Sequence, residues 1–357
     1  MSALFSRLNG HEQVVFGADA ASGLRCIIAI HSTALGPALG GTRMYPYASE
    51  DDALVDVLRL SRGMTYKAAC AGLDLGGGKA VIIGDPATDK SEALLRAFGR
   101  FIESLNGRYV TACDVGTYPA DMAIIGRETR WATGADLAHG GSGDSGIMTA
   151  YGVYLGMKAT AAHVWGTDSL AERHVAVQGL GKVGRRLVRH LVDDGAKVTV
   201  ADVNPAAVDA VASLPGVSAV AAHEIITVDA DILSPNALGA VLTKDTIPTL
   251  HVQAVCGGAN NQLGTDDDAS LLRDRDIAYA PDYVVNSGGL IHVSDELGIG
   301  GYNADRVKSK ANAIDDTLRR IFARAKADGT TTEVAAEHVA QERIAAVGRL
   351  RQIHLAH

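Results

Sequence analysis

Between His174 and Asp202 the chain reads strand, glycine turn, helix, strand, acid, and few folds accommodate that order. Apolar alternation over His174–Val177 predicts a short strand that runs directly into QGLGKVG, with Gly179, Gly181 and Gly184 in G-x-G-x-x-G register. An amphipathic helix to Asp193 follows, then a strand over Lys197–Ala201 that ends at Asp202. Glycines spaced this way let a pyrophosphate rest on backbone N–H groups at a helix N-terminus, where the helix dipole favours negative charge. A bare glycine triplet is a weak sign. Framed by two strands, a helix and a terminal acid, it predicts a parallel-sheet dinucleotide-binding domain.

The acid bears on which dinucleotide is bound. A carboxylate at Asp202 accepts hydrogen bonds from a ribose diol and repels a 2′-phosphate, so NAD is expected over NADP. Candidate cofactor contacts are Gly179, Leu180, Gly181, Lys182, Val183 and Gly184 in the loop, with Asp202 and Val203 after the second strand. Further strands are expected over Asp231–Leu233, Val252–Val255 and Ile277–Ala280. The first two end at Asn236–Ala237 and at Gly257-Gly258-Ala259-Asn260-Asn261, where strand C-termini of an open α/β sheet meet the nucleotide. Asn260 and Asn261 read either as a plain turn or as a donor–acceptor pair for a carboxamide or a substrate.

The N-terminal part has a different rhythm. Strands are expected over Gln13–Phe16 and Leu24–Ile30, then a glycine-rich loop over Gly36–Arg43 that either touches a ligand through its backbone or simply turns. Ser49 and Asp52 form a capping pair for a helix that runs into MTYKAACAGLDLGGGK. That stretch holds two lysines, Lys67 near the helix end and Lys79 after Gly76, Gly77 and Gly78, which are expected to let backbone and ligand approach. Two ammonium groups facing one anion pocket repel, so one should release its proton more readily than an isolated lysine and serve as an acid or base. The bland alternative is a solvated lysine after a glycine turn. A phosphate loop is excluded, because Leu73 and Ala80 stand where that pattern needs Gly and Ser or Thr. Beyond Lys79 come a strand over Ala80–Ile83, a helix over Ser91–Leu105, and a strand over Tyr109–Ala112 that delivers Asp114, read as a catalytic carboxylate or as an Asx turn. Asp121 is expected to cap a helix running to Arg130.

A length of 357 residues suggests two domains. The glycine cluster HGGSGDSG, followed by a helix over Ser145–Val164, marks the passage between them. The expected division is an α/β mixed-sheet substrate and oligomerisation domain over 1–147 and a Rossmann-type domain over 148–331, with the active site in the cleft between. Thr330 and Glu333 sit at capping-box spacing before a last helix, about 332–357, expected to pack back on the first domain. A net charge of -8 without a dense basic run argues against nucleic acid. No apolar run is long enough for a membrane span, and MSALFSRLNGHEQ lacks a signal-peptide core, so a cytoplasmic protein is expected. Cys26, Cys70, Cys113 and Cys256 are scattered, which predicts neither disulfide nor metal site.

Taken together, GPALGGTR, MTYKAACAGLDLGGGKAV, CDVGTYPADM, GLGKVG, GGANNQL and NSGGLIHVSDEL resemble, in order, the motifs of the glutamate, leucine, phenylalanine and valine dehydrogenase superfamily, branched-chain members most closely. The resemblance implies NAD-dependent oxidative deamination of an L-amino acid to a 2-oxo acid and ammonia. It gives Lys67 the substrate carboxylate, Lys79 the role of general base that activates water, and Asp114 proton relay to the amine and a place among the cofactor contacts. Gly40 and Gly41 would hold the amine and carboxylate region, Asn261 substrate or nicotinamide, and Arg43, Ser145 and Thr149 the cofactor. Glutamate-specific relatives carry a lysine and a serine where Leu39 and Val293 stand here. With Met64, Ala112 and Leu290 these would line an aliphatic pocket for valine or leucine, in which a distal carboxylate is disfavoured. Phenylalanine is the alternative substrate, and a non-catalytic NAD-binding sensor is the alternative from another class. A homo-oligomer through the N-terminal domain is implied.

Overall fold

A computed structural model of the protein describes residues 4–8, 10–237 and 239–348. The chain separates into two compact units. Among the described residues, the first takes in those up to Ser145, His292–Ala304 and 340–348, and the second those of Gly146–Ile291 and Asp305–Val339. The stretch expected as one block, 148–331, is therefore interrupted by a short return to the first unit. The reason is chemical: the Glu296 carboxylate accepts from the backbone N–H of Gly134 at 3.1 Å and of Ser142 at 2.8 Å, and from the Ser142 hydroxyl. His292 Nε2 lies 3.0 Å from the Ser142 carbonyl.

The first unit begins with α1 (Leu4–Arg7) and strands β1 (Gln13–Asp19), β2 (Leu24–Ser32) and β3 (Ala38–Tyr45). Next come α2 (Glu50–Cys70), β4 (Gly76–Ile83), α3 (Glu92–Glu103), β5 (Tyr109–Cys113) and α4 (Pro119–Ile125). The five strands lie in the order β1-β2-β4-β3-β5. β2 runs antiparallel to β1 and β4, while β3 runs parallel to β4 and β5. Both faces are covered, so β2 is apolar on each side. Cys26, Ile28 and Ile30 pack with Phe98 and Ile102 of α3, whereas Ile27 and Ala29 pack with Leu54 and Val57 of α2. The Ser49 hydroxyl caps α2 by accepting from the Asp52 N–H at 3.1 Å.

Two glycine stretches expected as loops are strand instead. Gly40–Gly41 lies within β3 and Gly76–Gly78 within β4, both interior to the sheet. A Cβ at Gly40 would fall 1.7 Å from the Gly78 carbonyl oxygen, and one at Gly77 would fall 2.1 Å from the Thr65 nitrogen of α2. Protein neighbours fill the space that the missing side chains leave, so these glycines serve close packing of backbone on backbone. The helix expected from Asp121 to Arg130 is the shorter α4, capped at Tyr118. Asp121 lies inside it, accepting from the Tyr118 N–H at 2.9 Å and pairing with Lys90 at 2.8 Å.

The second unit opens with α5 (Gly146–Trp165), which belongs to it entirely and is no crossing element. It continues through β6 (His174–Gln178), α6 (Gly184–Asp193), β7 (Lys197–Ala201), α7 (Pro205–Ala212), β8 (Val217–Ala219), β9 (Ile232–Pro235) and β10 (Ala254–Val255). Then follow α8 (Asp268–Asp274), β11 (Ala278–Tyr279), α9 (Asp282–Val285), α10 (Gly288–Ser294), α11 (Ala304–Asp328) and α12 (Thr332–Gly348). The strand order is β11-β10-β9-β6-β7-β8, all parallel. That is the doubly wound dinucleotide order, whose reversal falls between β6 and β9. α12 starts one residue later than the expected cap implies, because the Thr331 hydroxyl, not that of Thr330, accepts from the Val334 N–H at 3.3 Å. Its later part belongs to the first unit, where Arg343 reaches Asp74 at 2.7 Å and the Gly72 carbonyl at 3.0 Å. The expected continuation beyond 348 lies outside the described residues. Among the described residues no helix is long and apolar enough to cross a membrane.

Candidate active site

The pleat of the first sheet sorts its residues between two faces. Ala38 and Met44 of β3, Ala80 and Ile82 of β4, and Tyr109 of β5 all pack on the α3 side. Alternation then sends Leu39, Gly41 and Arg43, with Gly77 and Lys79, and Ala112 with the following Asp114, to the α2 side. α2 itself carries Met64 and Lys67, and its Thr65 rests against Gly77. Most of the first unit's candidate residues thus lie on one face. Gly40 does not share it, and its carbonyl accepts from the Tyr109 hydroxyl at 2.6 Å.

At the centre of that face Lys79, only 7% exposed, places its ammonium 2.6 Å from Asp114 Oδ2. The same oxygen accepts from Arg43 Nε at 3.3 Å. Burial alone would raise the Asp114 pKa, but the charges of Lys79 and then Arg43 outweigh it and hold the carboxyl at about 2. Its loop is fixed by Thr117, whose hydroxyl accepts from the Asp114 N–H at 3.0 Å and donates to the Thr42 carbonyl at 2.8 Å. Gly41 is required here, because a Cβ would fall 2.9 Å from that of Asp114 and 2.5 Å from the Cys113 carbonyl oxygen. The partner that the fold gives Lys79 is therefore an acid and, one step further, an arginine. The sequence places Asp114 beside the lysines, which would hold it ionised, and the Lys79 contact agrees; the arginine is the cation it does not foretell.

Arg43 was expected at the cofactor. In the first unit its Nη1 donates to Asp56 Oδ2 at 2.8 Å, and the Tyr47 hydroxyl donates to that same oxygen at 2.6 Å. Asp56 and Tyr47 were not anticipated, since an acid on a helix reads as solvated surface until the sheet beneath it is known. Leu39 and Ala112 are buried on the Lys79 face, and Met64 is half-buried. Val293 is buried beside Gly134, whose carbonyl accepts from the Cys113 thiol at 3.5 Å. Leu290 falls in the second unit.

In the second unit each glycine of the turn has its own environment. Gly179 adopts φ +88°, and a Cβ there would fall 2.7 Å from that of Ala237. At Gly184 it would fall 1.9 Å from the Gly179 carbonyl oxygen. At Gly181 it would meet nothing within 4 Å. Two glycines thus shape the turn and seat the helix, and the middle one leaves backbone open, as a pyrophosphate cradle requires. Asp202 stands at the end of β7, its Oδ2 accepting from the Leu180 N–H at 2.6 Å and its Oδ1 from the Asn204 N–H at 2.8 Å. Lys182 is exposed, Val183 half-buried and Val203 nearly fully exposed.

Asn236 ties the strand ends together, accepting from the Gly258 N–H at 2.9 Å and donating to the Ser234 carbonyl at 2.9 Å. Asn260 accepts from Asn286 at 2.7 Å, and the exposed Asn261 adopts φ +53°. Ser145 and Thr149 flank the start of α5, where Gly288 allows backbone to approach Met148. These residues fit a nicotinamide dinucleotide, the open backbone at Gly181 being the decisive feature.

Comparison with known proteins agrees with both halves. Residues 11–131 match the Glu/Leu/Phe/Val dehydrogenase dimerisation domain, and residues 140–211 and 204–357 match the Glutamate/Leucine/Phenylalanine/Valine dehydrogenase family. The chain is 57% identical to a valine dehydrogenase of Streptomyces virginiae, over 94% of each chain. It is 51% identical to a leucine dehydrogenase of Bacillus cereus, over 97% of this chain and 94% of that one. Among solved structures it resembles L-tryptophan dehydrogenase from Nostoc punctiforme, with a TM-score of 0.86 and 44% identity over 97% of this chain and 100% of the other. A buried lysine–aspartate pair on one unit and a nicotinamide-dinucleotide turn on the other thus belong to a member of the Glu/Leu/Phe/Val dehydrogenase family, an amino-acid dehydrogenase acting on the CH–NH2 group.

Proposed function

We propose that the protein catalyses the reversible NAD-linked oxidative deamination of a branched-chain L-amino acid, valine or leucine, to the 2-oxo acid and ammonia. The observation that carries this reading is the Lys79–Asp114 pair on a sheet face whose other side chains, Leu39 and Ala112, are apolar. Lys67, on the helix covering that face, takes the substrate carboxylate, and Gly41 on the same face leaves the room that seats Asp114, while Gly40, turned to the other face, serves the packing of the sheet. When bound, the nicotinamide supplies the acceptor for the hydride that leaves Cα. Asp114 takes a proton from the amine nitrogen as Cα is oxidised. Lys79, in its neutral form, takes a proton from water while the water oxygen bonds to the imine carbon. Lys79 passes that proton to solvent; Asp114 then returns a proton to nitrogen as the C–N bond breaks, and the neutral Lys79 takes the hydroxyl proton, leaving the oxo acid and ammonia.

An apolar lining by Leu39, Met64, Ala112 and Val293 would disfavour a substrate with a distal carboxylate, which would lie there uncompensated. Valine and leucine differ by one methylene, a difference of only about 1–3 kcal/mol in such a pocket. An aromatic substrate is the second reading, supported by the likeness to a tryptophan dehydrogenase. Preference for NAD is supported by the Asp202 carboxylate, which would repel a 2′-phosphate. Remaining cofactor contacts are assigned to Arg43, Ser145, Thr149, Asn236, Ala237, Asn260 and Asn261. Assembly as a cytoplasmic homo-oligomer through the first unit completes the reading, supported for the assembly by the dimerisation-domain match.

The test is NADH formation with L-valine, L-leucine, L-phenylalanine and L-glutamate. The branched-chain pair should give the highest kcat/KM, and glutamate as best substrate would overturn the pocket assignment.

A further inference from the structure

We propose that Arg43 is the permanent counter-charge of Asp114 during turnover, and that Asp56, with Tyr47, is the positioning residue that holds it there and thereby sets the pH dependence of the reaction. The inference rests on the roles proposed for Lys79 and Asp114.

Asp114 Oδ2 has two cations, Lys79 at 2.6 Å and Arg43 at 3.3 Å. Only one of them is constant. A general base must shed its proton, and once Lys79 does so the ion pair with Asp114 is lost at the step where the carboxylate must choose whether to hold a proton. Arg43 does not deprotonate in proteins, so its charge on Asp114 persists through the cycle. Without it, Asp114 would compete for the proton that Lys79 releases. With it, the carboxylate is compensated at every stage.

The arrangement around Arg43 suits that duty. Its guanidinium bridges two carboxylates through different nitrogens, Nε to Asp114 and Nη1 to Asp56. Asp56 is itself held, its Oδ2 accepting from the Tyr47 hydroxyl at 2.6 Å and its Oδ1 lying 3.5 Å from Arg59 Nη2. Side chains of Arg43 and Asp56 are only 22% and 16% exposed, so solvent screens the bridge weakly. Burial together with the bond to Asp56 raises the Tyr47 pKa, which keeps its hydroxyl a donor. The charged and titratable groups around the bridge are Lys79 from β4, Arg43 from β3, Asp114 just past β5, Asp56 and Arg59 from α2, and Tyr47 from the connection between β3 and α2; α2 also carries Lys67, and Tyr109 lies on the opposite face of β5.

Removing charge at the two ends of the bridge moves the site in opposite directions. Asp56→Asn deletes an anion and leaves the site more positive, so the acidic limb of the kcat/KM profile for deamination should move to lower pH. Arg43→Met deletes the permanent cation and should move that limb to higher pH, by about one unit or more. Arg43→Lys keeps the charge and should return the limb most of the way, with a lower plateau because the two-nitrogen bridge is lost. Tyr47→Phe should shift the limb in the same sense as Arg43→Met, by less, because Asp56 without that donor draws more on the guanidinium. Thermal unfolding and circular dichroism establish that each variant is folded. Asp56→Asn is isosteric and Tyr47→Phe removes one atom, so they carry the test even if Arg43→Met is unstable. Limbs that stay put, or that shift in the same direction for Asp56→Asn and Tyr47→Phe, would make the bridge purely structural and overturn the proposal. Loss of the parent reading looks different, as Lys79→Ala with turnover intact.

Discussion

Gly181→Ala separates the stability of the glycine turn from its binding duty. A Cβ at this position meets no atom within 4 Å, and its φ is not in the left-handed region, so the methyl costs the apo fold nothing in packing or strain. It removes backbone freedom from the unfolded chain, which by itself stabilises by about 0.4–1 kcal/mol. The cofactor meets the opposite situation. The methyl occupies the space through which a phosphate oxygen must reach the backbone N–H groups, and losing one charge-assisted hydrogen bond costs about 1.5–3 kcal/mol, or roughly ten- to a hundredfold in Kd. Gly184→Ala is the control, because its Cβ would fall 1.9 Å from the Gly179 carbonyl oxygen and must push the helix off the strand. Fluorescence titration with NADH and thermal unfolding should show Gly181→Ala with an unchanged or slightly higher Tm and at least tenfold weaker binding, and Gly184→Ala with a clearly lower Tm. Undiminished NADH affinity in a folded Gly181→Ala protein would refute the argument that the dinucleotide rests on this turn.

Lys79→Ala should bind NADH normally and lose at least a hundredfold in kcat for deamination, which stopped-flow and steady-state measurements read separately. Asp202→Asn should narrow the ratio of kcat/KM for NAD over NADP by roughly tenfold or more, and an unaltered ratio would mean that another group sets the preference. Glu333 gives a pH prediction. Burial, and then the neighbouring Asp282, push its carboxyl up to about 8, so its folded pKa exceeds the unfolded one. A group raised in this way favours the folded state below the unfolded pKa, and that contribution is lost as pH rises through the folded pKa, here from about 4.5 to about 8. Glu333→Gln should therefore be more stable than the parent at pH 8.5 by on the order of 2–4 kcal/mol and close to it at pH 5, read by chemical unfolding at both values.

The parts of this molecule legible in its sequence are those whose signal is local. Gly179, Gly181 and Gly184 announce themselves because strand, turn and helix adjoin in the chain, and the structure adds only that each glycine has a different neighbour. Asp114 was visible because a strand ends just before it. What failed was the reading of Gly40–Gly41 and Gly76–Gly78 as loops, since glycine runs normally mark turns. Their true cause is the approach of Thr65 and of neighbouring strands, which belong to distant stretches of sequence. Arg43 illustrates the same limit, because its partners Asp56 and Asp114 lie on a helix and on another strand's end. Likewise nothing near His292–Ala304 in the sequence foretells that Glu296 will bind the 134–142 segment.

That last attachment bears on how the protein must be made. The chain passes from one unit to the other at 145/146, 291/292, 304/305 and 339/340, so neither unit is a continuous piece of polypeptide. A ribosome that has released the first 145 residues has emitted a sheet whose Gly134 and Ser142 N–H groups still lack the Glu296 carboxylate and whose Asp74 still lacks Arg343. A fragment cut at 145 should accordingly be a poor folding unit, and grafting a different dinucleotide domain onto this one would require carrying the residues around Glu296 and Arg343 along with the graft.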